Sequence, residues 1–244
     1  NSRETGGLMS ALKKSSLVDQ VYQKLRTEII MLKRPMGSKL NVNELQQELG
    51  VSCTPIREAI NHLQQEGLVI YENNIGAHVL LLKEHDVLEI QQLAVTLHCA
   101  AARLAMENGD RQQIAAELKK HLSDYISARN VQSEVTAVNR FIGTFYHHCG
   151  NQRLDKSMTS VLGQQMLLRY IYAGCTPERG RLRDDYRRML EAVLRGDTDE
   201  LCIAIQENTD KTTPVILEFV KRYHVQNGGE EKASSRERSR RKSG

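Results

Sequence analysis

Apolar residues recur at helical spacing in two short runs, and four residues separate the runs. The first run ends with Leu45 and Leu49, and the second starts at Ile56 and continues at every third or fourth position. Between them, Gly50 can take the left-handed conformation that ends a helix, and Ser52 is a good cap for the next helix. The pattern predicts a helix, a tight turn and a second helix that begins at about Ser52.

The second helix carries a polar face once its apolar side chains are turned inward. That outward face holds short, hydrogen-bonding side chains, namely Thr54, Arg57, Glu58, Asn61 and His62. A face of this kind suits a recognition helix, which lies in the major groove of DNA.

Two short apolar segments after Gly67 predict a two-stranded hairpin. They read Leu-Val-Ile-Tyr and Ala-His-Val-Leu-Leu, and a turn of polar residues and Gly76 joins them. Upstream, apolar residues keep helical spacing from Leu17 to Ile30, and Pro35 follows soon after. A helix, a helix-turn-helix and a hairpin together predict a winged helix-turn-helix.

Beyond Leu82 the pattern is helical, with breaks at residues such as Gly, Asn, Asp and Pro. The predicted helices are Glu84–Asn108, Gln112–Ala128, Glu134–Cys149, Arg153–Tyr172, Glu178–Arg195 and Thr198–Tyr223. The predicted fold class is mostly α, with an N-terminal winged helix-turn-helix followed by an antiparallel six- to seven-helix bundle. The predicted ranges are a flexible arm at 1–14, the winged domain at 15–82, the helical domain at 83–225 and a disordered basic tail at 226–244.

Composition narrows the class of protein. With 40% apolar and 26% charged residues, no long apolar run and no secretory start, we expect a cytoplasmic protein without a membrane partner. Five cysteines that never form C-x-x-C argue against a disulfide framework and against a zinc knuckle.

The net charge of +4 is weak evidence for nucleic acid, because residues 230–244 hold six Lys or Arg against three Glu. Residues 1–82 hold nine basic and eight acidic side chains, so the DNA-binding prediction depends on the motif. Phosphate contacts are expected from Lys13, Lys14, Lys24, Arg26, Lys39 and Arg57.

Several motifs of the winged domain together resemble the GntR family of bacterial transcription regulators. They are SCTPIREAINHLQQEGLV from Ser52, G-x-x-V at Gly76 to Val79 and P-x-G-x-x-L at Pro35 to Leu40. The order of a winged domain and a helical bundle resembles the FadR subfamily, whose FCD-type helical domain binds a small effector and dimerises. Weaker matches in the bundle are Ala101-Ala102-x-Leu104-Ala105, Phe141 with Gly150-Asn151, and Ala192-x-x-x-Gly196-Asp197.

The resemblance implies a DNA-binding site and also departures from the usual one. Where the family commonly has an arginine that contacts guanine, this chain has Cys53, and a thiol cannot make that bidentate contact. Where the preceding helix usually opens with a charged residue, this chain has Asn43. We therefore expect an operator that differs from the commonest family sites. The candidate DNA-binding residues are Asn43, Ser52, Cys53, Thr54, Arg57, Gly76 and His78.

The resemblance also implies where a metal would be held in the bundle, through one Asp and three His. The corresponding positions are Val138, Ile142, Tyr186 and Asn208, none of the expected ligand type. The family's R-x-x-L-E, whose arginine can hold a carboxylate effector, is here Ala94-Val95-Thr96-Leu97-His98. We therefore predict no metal and no other cofactor.

Three alternatives remain for the bundle: a different site made from Asn139, His98, His147 or His148, a non-metal ligand, or no ligand. Adjacent His147 and His148 point about 100° apart on a helix, which makes a shared ion difficult. The candidate effector-binding residues are His98, Asn139, Tyr186 and Asn208. Arg169-Tyr170-Ile171-Tyr172 fits either a cavity wall or a dimer face.

The predicted function is that of a homodimeric transcription regulator, more often a repressor in this family, that reads an inverted repeat in double-stranded DNA. A small-molecule effector, such as an organic acid, would control it. An enzyme is disfavoured because no nucleophile-and-base set, carboxylate pair or metal cluster has useful spacing. The alternative is a non-sensing DNA-binding or partner-binding protein that has lost the effector site.

Overall fold

The computed structural model describes residues 16–72, 76–178 and 180–242, with side chains as far as residue 226. Across these residues it contains nine helices and one two-stranded antiparallel sheet. The predicted fold class, a winged helix-turn-helix followed by a helical bundle, is confirmed. The predicted arm at 1–14 and the tip of the hairpin at 73–75 lie outside the described residues. In the described part of the chain, no helix is long and apolar enough to cross a membrane.

The winged domain contains three helices and the hairpin, as the sequence predicts. Its elements are α1 (Leu17–Ile30), α2 (Val42–Leu49), α3 (Cys53–Gln65), β1 (Val69–Glu72) and β2 (Gly76–Val79). Ser16 caps α1 through its hydroxyl, and Gly50 ends α2 in the left-handed conformation. The interior is apolar: Leu25 and Ile29 of α1 pack with Ile56 and Leu63 of α3, all fully buried. This core holds α3 at a fixed angle, so that its polar face points outward.

The bundle contains six helices joined by short loops. They are α4 (Glu84–Asn108), α5 (Arg111–Ile126), α6 (Val131–His148), α7 (Gln152–Cys175), α8 (Arg183–Arg195) and α9 (Thr198–Lys242). The start of α8 differs from the predicted Glu178, because Pro177 and the left-handed Gly180 keep the chain in a loop up to Leu182. The other starts fall within three residues of the predicted ones, most of them beside an Asn or Asp cap.

The C-terminal segment differs from the predicted disordered tail at 226–244. The backbone of α9 continues as a helix to Lys242. The segment contains good helix formers, such as Glu230, Glu231, Lys232 and Ala233, and extending an existing helix avoids the unfavourable nucleation step. Its Gly and Ser content, which led to the prediction of disorder, does not end the helix.

The winged domain packs against one side of α7. Gln164 donates a hydrogen bond to the Gly67 carbonyl over 3.1 Å. Arg26 of α1 lies 3.2 Å from the Met166 sulfur and forms an ion pair of 2.6 Å with Glu66. Gly163 allows this close approach, since a Cβ there would lie only 2.8 Å from atoms of Glu66 and Leu68. Residues 163–166 of α7 therefore make one part of the contact between the domains, and Tyr223 of α9 makes another by donating to the Met36 carbonyl over 3.1 Å.

Candidate functional site

The outward face of α3 is polar and exposed, as predicted. Thr54, Arg57, Glu58, Asn61 and His62 are all exposed, whereas the intervening positions Pro55, Ile56, Ala59, Ile60 and Leu63 are buried. An exposed helix of 13 residues with such a face can enter a major groove and present its side chains to base edges.

Arg57 and Ser52 are available for contacts outside the protein. Arg57 is exposed and forms no ion pair within the described residues; Glu66, a potential partner, pairs with Arg26 instead. Ser52 is the N-cap residue of α3, yet its hydroxyl makes no capping hydrogen bond. An exposed hydroxyl at a helix N-terminus, where backbone N–H groups point outward, is well placed for a phosphate oxygen.

Cys53 and Asn43 occupy different environments. The Cys53 thiol is partly buried and donates to Gln46 Oε1 over 3.1 Å, so it links α3 to α2. The side chain of Asn43 is exposed at the start of α2, and its backbone N–H donates to the Asn41 cap. Of the two, Asn43 is the one whose side chain points toward solvent.

The wing residues Gly76 and His78 lie on β2. Gly76 has a φ of +98°, which a side chain would disfavour, and His78 pairs with Ile70 across the hairpin. His78 Nδ1 donates to the Gly76 carbonyl over 3.0 Å, because a carbonyl only accepts. That bond leaves Nε2 as the ring nitrogen that could contact a minor-groove edge or a phosphate.

Two basic residues expected at phosphates form ion pairs with carboxylates of their own domain, Arg26 in a buried place and Lys24 at the surface. Arg26 is mostly buried between Glu66 and Met166, and Lys24 pairs with Glu28 over 2.9 Å. Arg26 is thus part of the contact between the domains. The expected positions Lys13 and Lys14 lie outside the described residues.

A cavity with about 60 Å³ of free space lies inside the bundle, and all six helices contribute to its wall. Three of the four candidate effector residues line it: His98 from α4, Tyr186 from α8 and Asn208 from α9. The fourth, Asn139, lies outside this lining but accepts a hydrogen bond from Arg169, which does line it. The structure therefore connects all four predicted residues to one place.

Arg169 of α7 is the cation of this cavity, and sequence reasoning left its role open. Its guanidinium donates to Asn139 Oδ1 and, over 3.2 Å, to His98 Nε2. It forms no ion pair with a carboxylate in the described part of the chain, and burial lowers the pKa of the guanidinium. An arginine stays charged even so, and the charge here is bonded only to neutral groups.

His98 is neutral for a physical reason. Burial, and then the charge of Arg169, hold its pKa well below the usual value. Because Nε2 accepts from Arg169, the proton is on Nδ1, which donates to the Tyr146 hydroxyl over 2.8 Å. The chain of bonds from Arg169 through His98 to Tyr146 keeps the guanidinium in position.

An unpaired donor lies beside this cation. The Nδ2 group of Asn139 is buried and has no hydrogen-bond partner among the described residues, although the Oδ1 atom of the same amide accepts from Arg169. A buried donor without a partner costs about 1–3 kcal/mol. The guanidinium and the amide N–H group are neighbouring donors, and neither is bonded to a carboxylate within the described residues.

The four positions that the resemblance assigns to a metal all line the cavity. Val138 and Ile142 supply only apolar surface, and burial raises the pKa of Tyr186, which keeps its hydroxyl protonated. Asn208 donates to Asp185 over 3.3 Å. These four side chains do not fit a metal ion, because they provide no imidazole, thiolate or carboxylate.

A separate group of possible metal ligands lies at the surface, where α5 meets the end of α6. Glu117, His147 and His148 each offer one ligand atom, and the three atoms lie within 4.8 Å of one another. The adjacent histidines, expected to point about 100° apart, differ in exposure, since His148 is mostly buried and His147 mostly exposed, and their ring centroids lie 4.9 Å apart.

An exposed polar recognition helix on a winged domain, joined through α7 to a bundle with a polar cavity, defines a two-domain DNA-binding regulator with a ligand-binding domain. Models of two protein families match these two parts. The model described as bacterial regulatory proteins, gntR family, matches residues 17–79, and the FCD domain model matches residues 89–210. The chain belongs to the GntR family, in its FCD-domain branch.

Relatives agree with this assignment. The uncharacterised HTH-type transcriptional regulator BphR of Paraburkholderia xenovorans (strain LB400) is 27% identical over 84% of this chain and 86% of its own length. A probable D-xylose utilization operon transcriptional repressor of Paenarthrobacter nicotinovorans is 32% identical over 40% of this chain and 43% of its own. The structure of E. coli McbR/YncC has the same fold, with a TM-score of 0.69, 22% identity and coverage of 84% of this chain and 98% of that one.

These comparisons confirm the predicted class. The protein is a DNA-binding transcription regulator controlled by an effector, and it is not an enzyme, since its family and relatives are transcription regulators. The roles of individual site residues stay predictions. The features that sequence reasoning missed are Arg169 as the cation of the cavity and the link through α7 to the winged domain.

Proposed function

We propose that this regulator is a homodimer that represses transcription in the cytoplasm by binding an inverted repeat, and that an organic acid controls it without a metal. The observation that carries the effector proposal is Arg169, a partly buried cation bonded only to the neutral groups Asn139 and His98. A charge in such a place is costly unless it is paired. A carboxylate would pair it and would accept from the free Asn139 amide as well.

The cavity supports an effector with an apolar body. Its wall includes aromatic and aliphatic side chains, with Tyr125, Tyr172, Tyr186, Val138 and Ile205 among them. The free space inside this wall is about 60 Å³, so an effector with such a body would have to displace lining side chains as it binds. We propose that the carboxylate lies at Arg169 and the apolar body along these rings.

The donor set of the cavity argues against a resident metal. At the four positions where the family resemblance would place ligands, the cavity has two aliphatic side chains, a protonated tyrosine and an amide. Arg169 would then hold the carboxylate directly, in the role that a metal cation would otherwise perform. A guanidinium can bind a carboxylate through two parallel hydrogen bonds.

The small size of one winged domain supports the proposal of a dimer on an inverted repeat. A single short recognition helix reads only a few base pairs, and two such helices related by a two-fold axis read half-sites about one helical turn apart. Repression is supported by the repressor function named for the relative of Paenarthrobacter nicotinovorans.

Helix α7 provides a route from the cavity to the winged domain. Arg169 lies one helical turn after Met166, which contacts Arg26, and Gln165 donates to the Ile90 carbonyl of α4. An effector that pulls on Arg169 would move the same segment that supports the winged domain. A ligand shifts the equilibrium only as far as it binds one arrangement better than the other.

The first experiment tests the effector class. Wild-type protein and Arg169→Gln are melted with benzoate or hexanoate, each compared with its primary amide. We expect the carboxylates to raise the Tm of the wild type and not that of Arg169→Gln. Arg140→Gln, which removes an exposed arginine on the neighbouring α6, is the matched control and should respond as the wild type does. Equal effects of acid and amide would contradict the proposal.

The second experiment tests the operator. Bound sequences are selected from random duplex DNA at about 150 mM salt, and the mass of the free protein is measured by light scattering. An enriched inverted repeat and a dimer mass are expected. A monomer with no enriched sequence would favour the alternative of a non-sensing DNA-binding or partner-binding protein.

A further inference from the structure

We propose that Glu117, His147 and His148 form a binding site for a divalent transition metal ion of the zinc or nickel type, separate from the effector cavity. The three side chains come from two helices that pack against each other, so their approach is a property of the fold. Glu117 lies in the middle of α5, and the two histidines are the last residues of α6. No part of this site enters the proposed regulatory function.

The distances fit an ion held by three ligands. His148 Nε2 lies 3.1 Å from Glu117 Oε1, and His147 Nδ1 lies 3.9 Å from Glu117 Oε2. Ligand atoms of a tetrahedral ion with bonds of about 2.0–2.2 Å lie roughly 3.3–3.6 Å apart. The two observed distances bracket this value and the three ligand atoms lie within 4.8 Å of one another, so the side chains would move inward to hold one ion.

Ligand type selects the class of ion. Two imidazoles and one carboxylate suit zinc, nickel or copper, whereas calcium and magnesium prefer sets of oxygen atoms. The carboxylate contributes one negative charge. The C-terminal end of α6 contributes more negative potential, because the last carbonyls of a helix have no partner within it.

Neighbouring residues hold His148 in place, whereas the side chain of His147 is exposed to solvent. The His148 side chain is only 12% exposed, and a Cβ at Gly109 would lie 3.1 Å from its Cβ, so the turn between α4 and α5 packs closely against it. The His147 side chain is 75% exposed. A bound ion would therefore keep at least one position for water, as open three-ligand sites do.

The test uses untagged, full-length protein that has been treated with a chelator and dialysed. Titration calorimetry with ZnCl2, repeated with NiCl2, should give one ion per chain for the wild type. His147→Ala, His148→Ala and Glu117→Gln should each weaken binding by at least about tenfold. His147→Ala is the most informative of these, since an exposed side chain can be removed without disturbing the core, and circular dichroism confirms that each variant is folded.

Two control variants distinguish this site from a surface histidine elsewhere and from the effector cavity. His85→Ala removes an exposed histidine that lies 3.0 Å from Asp86, and it should bind as the wild type does. Asn208→Ala alters the cavity and should also leave binding unchanged. The inference is overturned if the wild type binds neither ion, if the three site variants bind as tightly as the wild type, or if Asn208→Ala abolishes binding.

Discussion

The recognition helix and the effector cavity hold their polar side chains in opposite environments. On α3 the polar residues are exposed, and Arg57 in particular has no ion-pair partner within the described residues. At the cavity wall Arg169 is bonded to both His98 and Asn139; His98 is buried and the other two are half-buried. Substitutions of the polar residues on α3 should therefore cost little stability. At the cavity, the same side chains determine both ligand binding and stability.

The pair Arg26–Glu66, where the winged domain meets the bundle, should show the largest effect. Both side chains are at most 14% exposed, so Glu66→Ala leaves a buried charge unpaired and should lower the free energy of unfolding by about 3–5 kcal/mol. Urea denaturation measures this. The control is Lys24→Ala, which breaks a more exposed pair with Glu28 and should cost less than about 1 kcal/mol. Equal losses would mean that the contact between the domains is open to solvent.

Arg57→Ala tests whether an exposed side chain of α3 contributes to operator binding without contributing to stability. We expect specific operator affinity to fall by about 1–3 kcal/mol, roughly five- to 150-fold, with an unchanged Tm. Fluorescence anisotropy with the selected operator measures the affinity. Arg187→Ala, which removes an exposed arginine on α8, should change neither quantity. A lower Tm in Arg57→Ala would show that this side chain supports the fold.

The pH dependence of stability tests whether the buried His98 is neutral in the folded protein. Its pKa in the folded protein is held well below the usual value by burial and by Arg169, so only the unfolded chain gains a proton below about pH 6.5. Stability is therefore retained above that pH and should fall on acidification, by at most about 1.4 kcal/mol per pH unit from this group. The slope of stability against pH should be smaller in His98→Gln. An identical slope would contradict a neutral buried His98.

The smallest expected effect belongs to Gln164, whose side chain bonds the Gly67 carbonyl at the contact between the domains. Gln164→Ala should lower the free energy of unfolding by about 0.5–1.5 kcal/mol, the usual net value of one hydrogen bond. It should also weaken any change in operator affinity that a carboxylate ligand produces. A matched variant is Gln152→Ala, which removes an exposed glutamine at the start of the same helix. A full ligand response in Gln164→Ala would mean that signalling does not need this contact.

The winged domain could be predicted from the sequence because its signals are local. Gly50, Ser52 and the apolar spacing around Ile56 lie within a few residues of one another, and the structure has the turn and helix where they indicate. The order of the helices in the bundle could also be predicted from the sequence. In both cases the determining residues are neighbours in the chain.

The cavity and the contact between the domains could be predicted only in part because their partners are distant in sequence. Arg169 bonds His98 and Asn139, which are 71 and 30 residues away, and its own segment gives no signal that separates a cavity wall from a dimer face. Arg26 was expected at phosphate, yet its partner Glu66 is 40 residues away. Neutral partners of a buried cation also leave no charge pattern in the sequence.

Residues 163–169 of α7 contact both the winged domain and the effector cavity. This double contact limits which substitutions the segment can accept. Any side chain at Gly163 would collide with Glu66 and Leu68, and Arg169 is committed to the cavity. New effector specificities in descendants of this protein should therefore arise through substitutions on α4, α8 and α9. Helix α7 should change slowest, because a substitution there alters two functions at the same time.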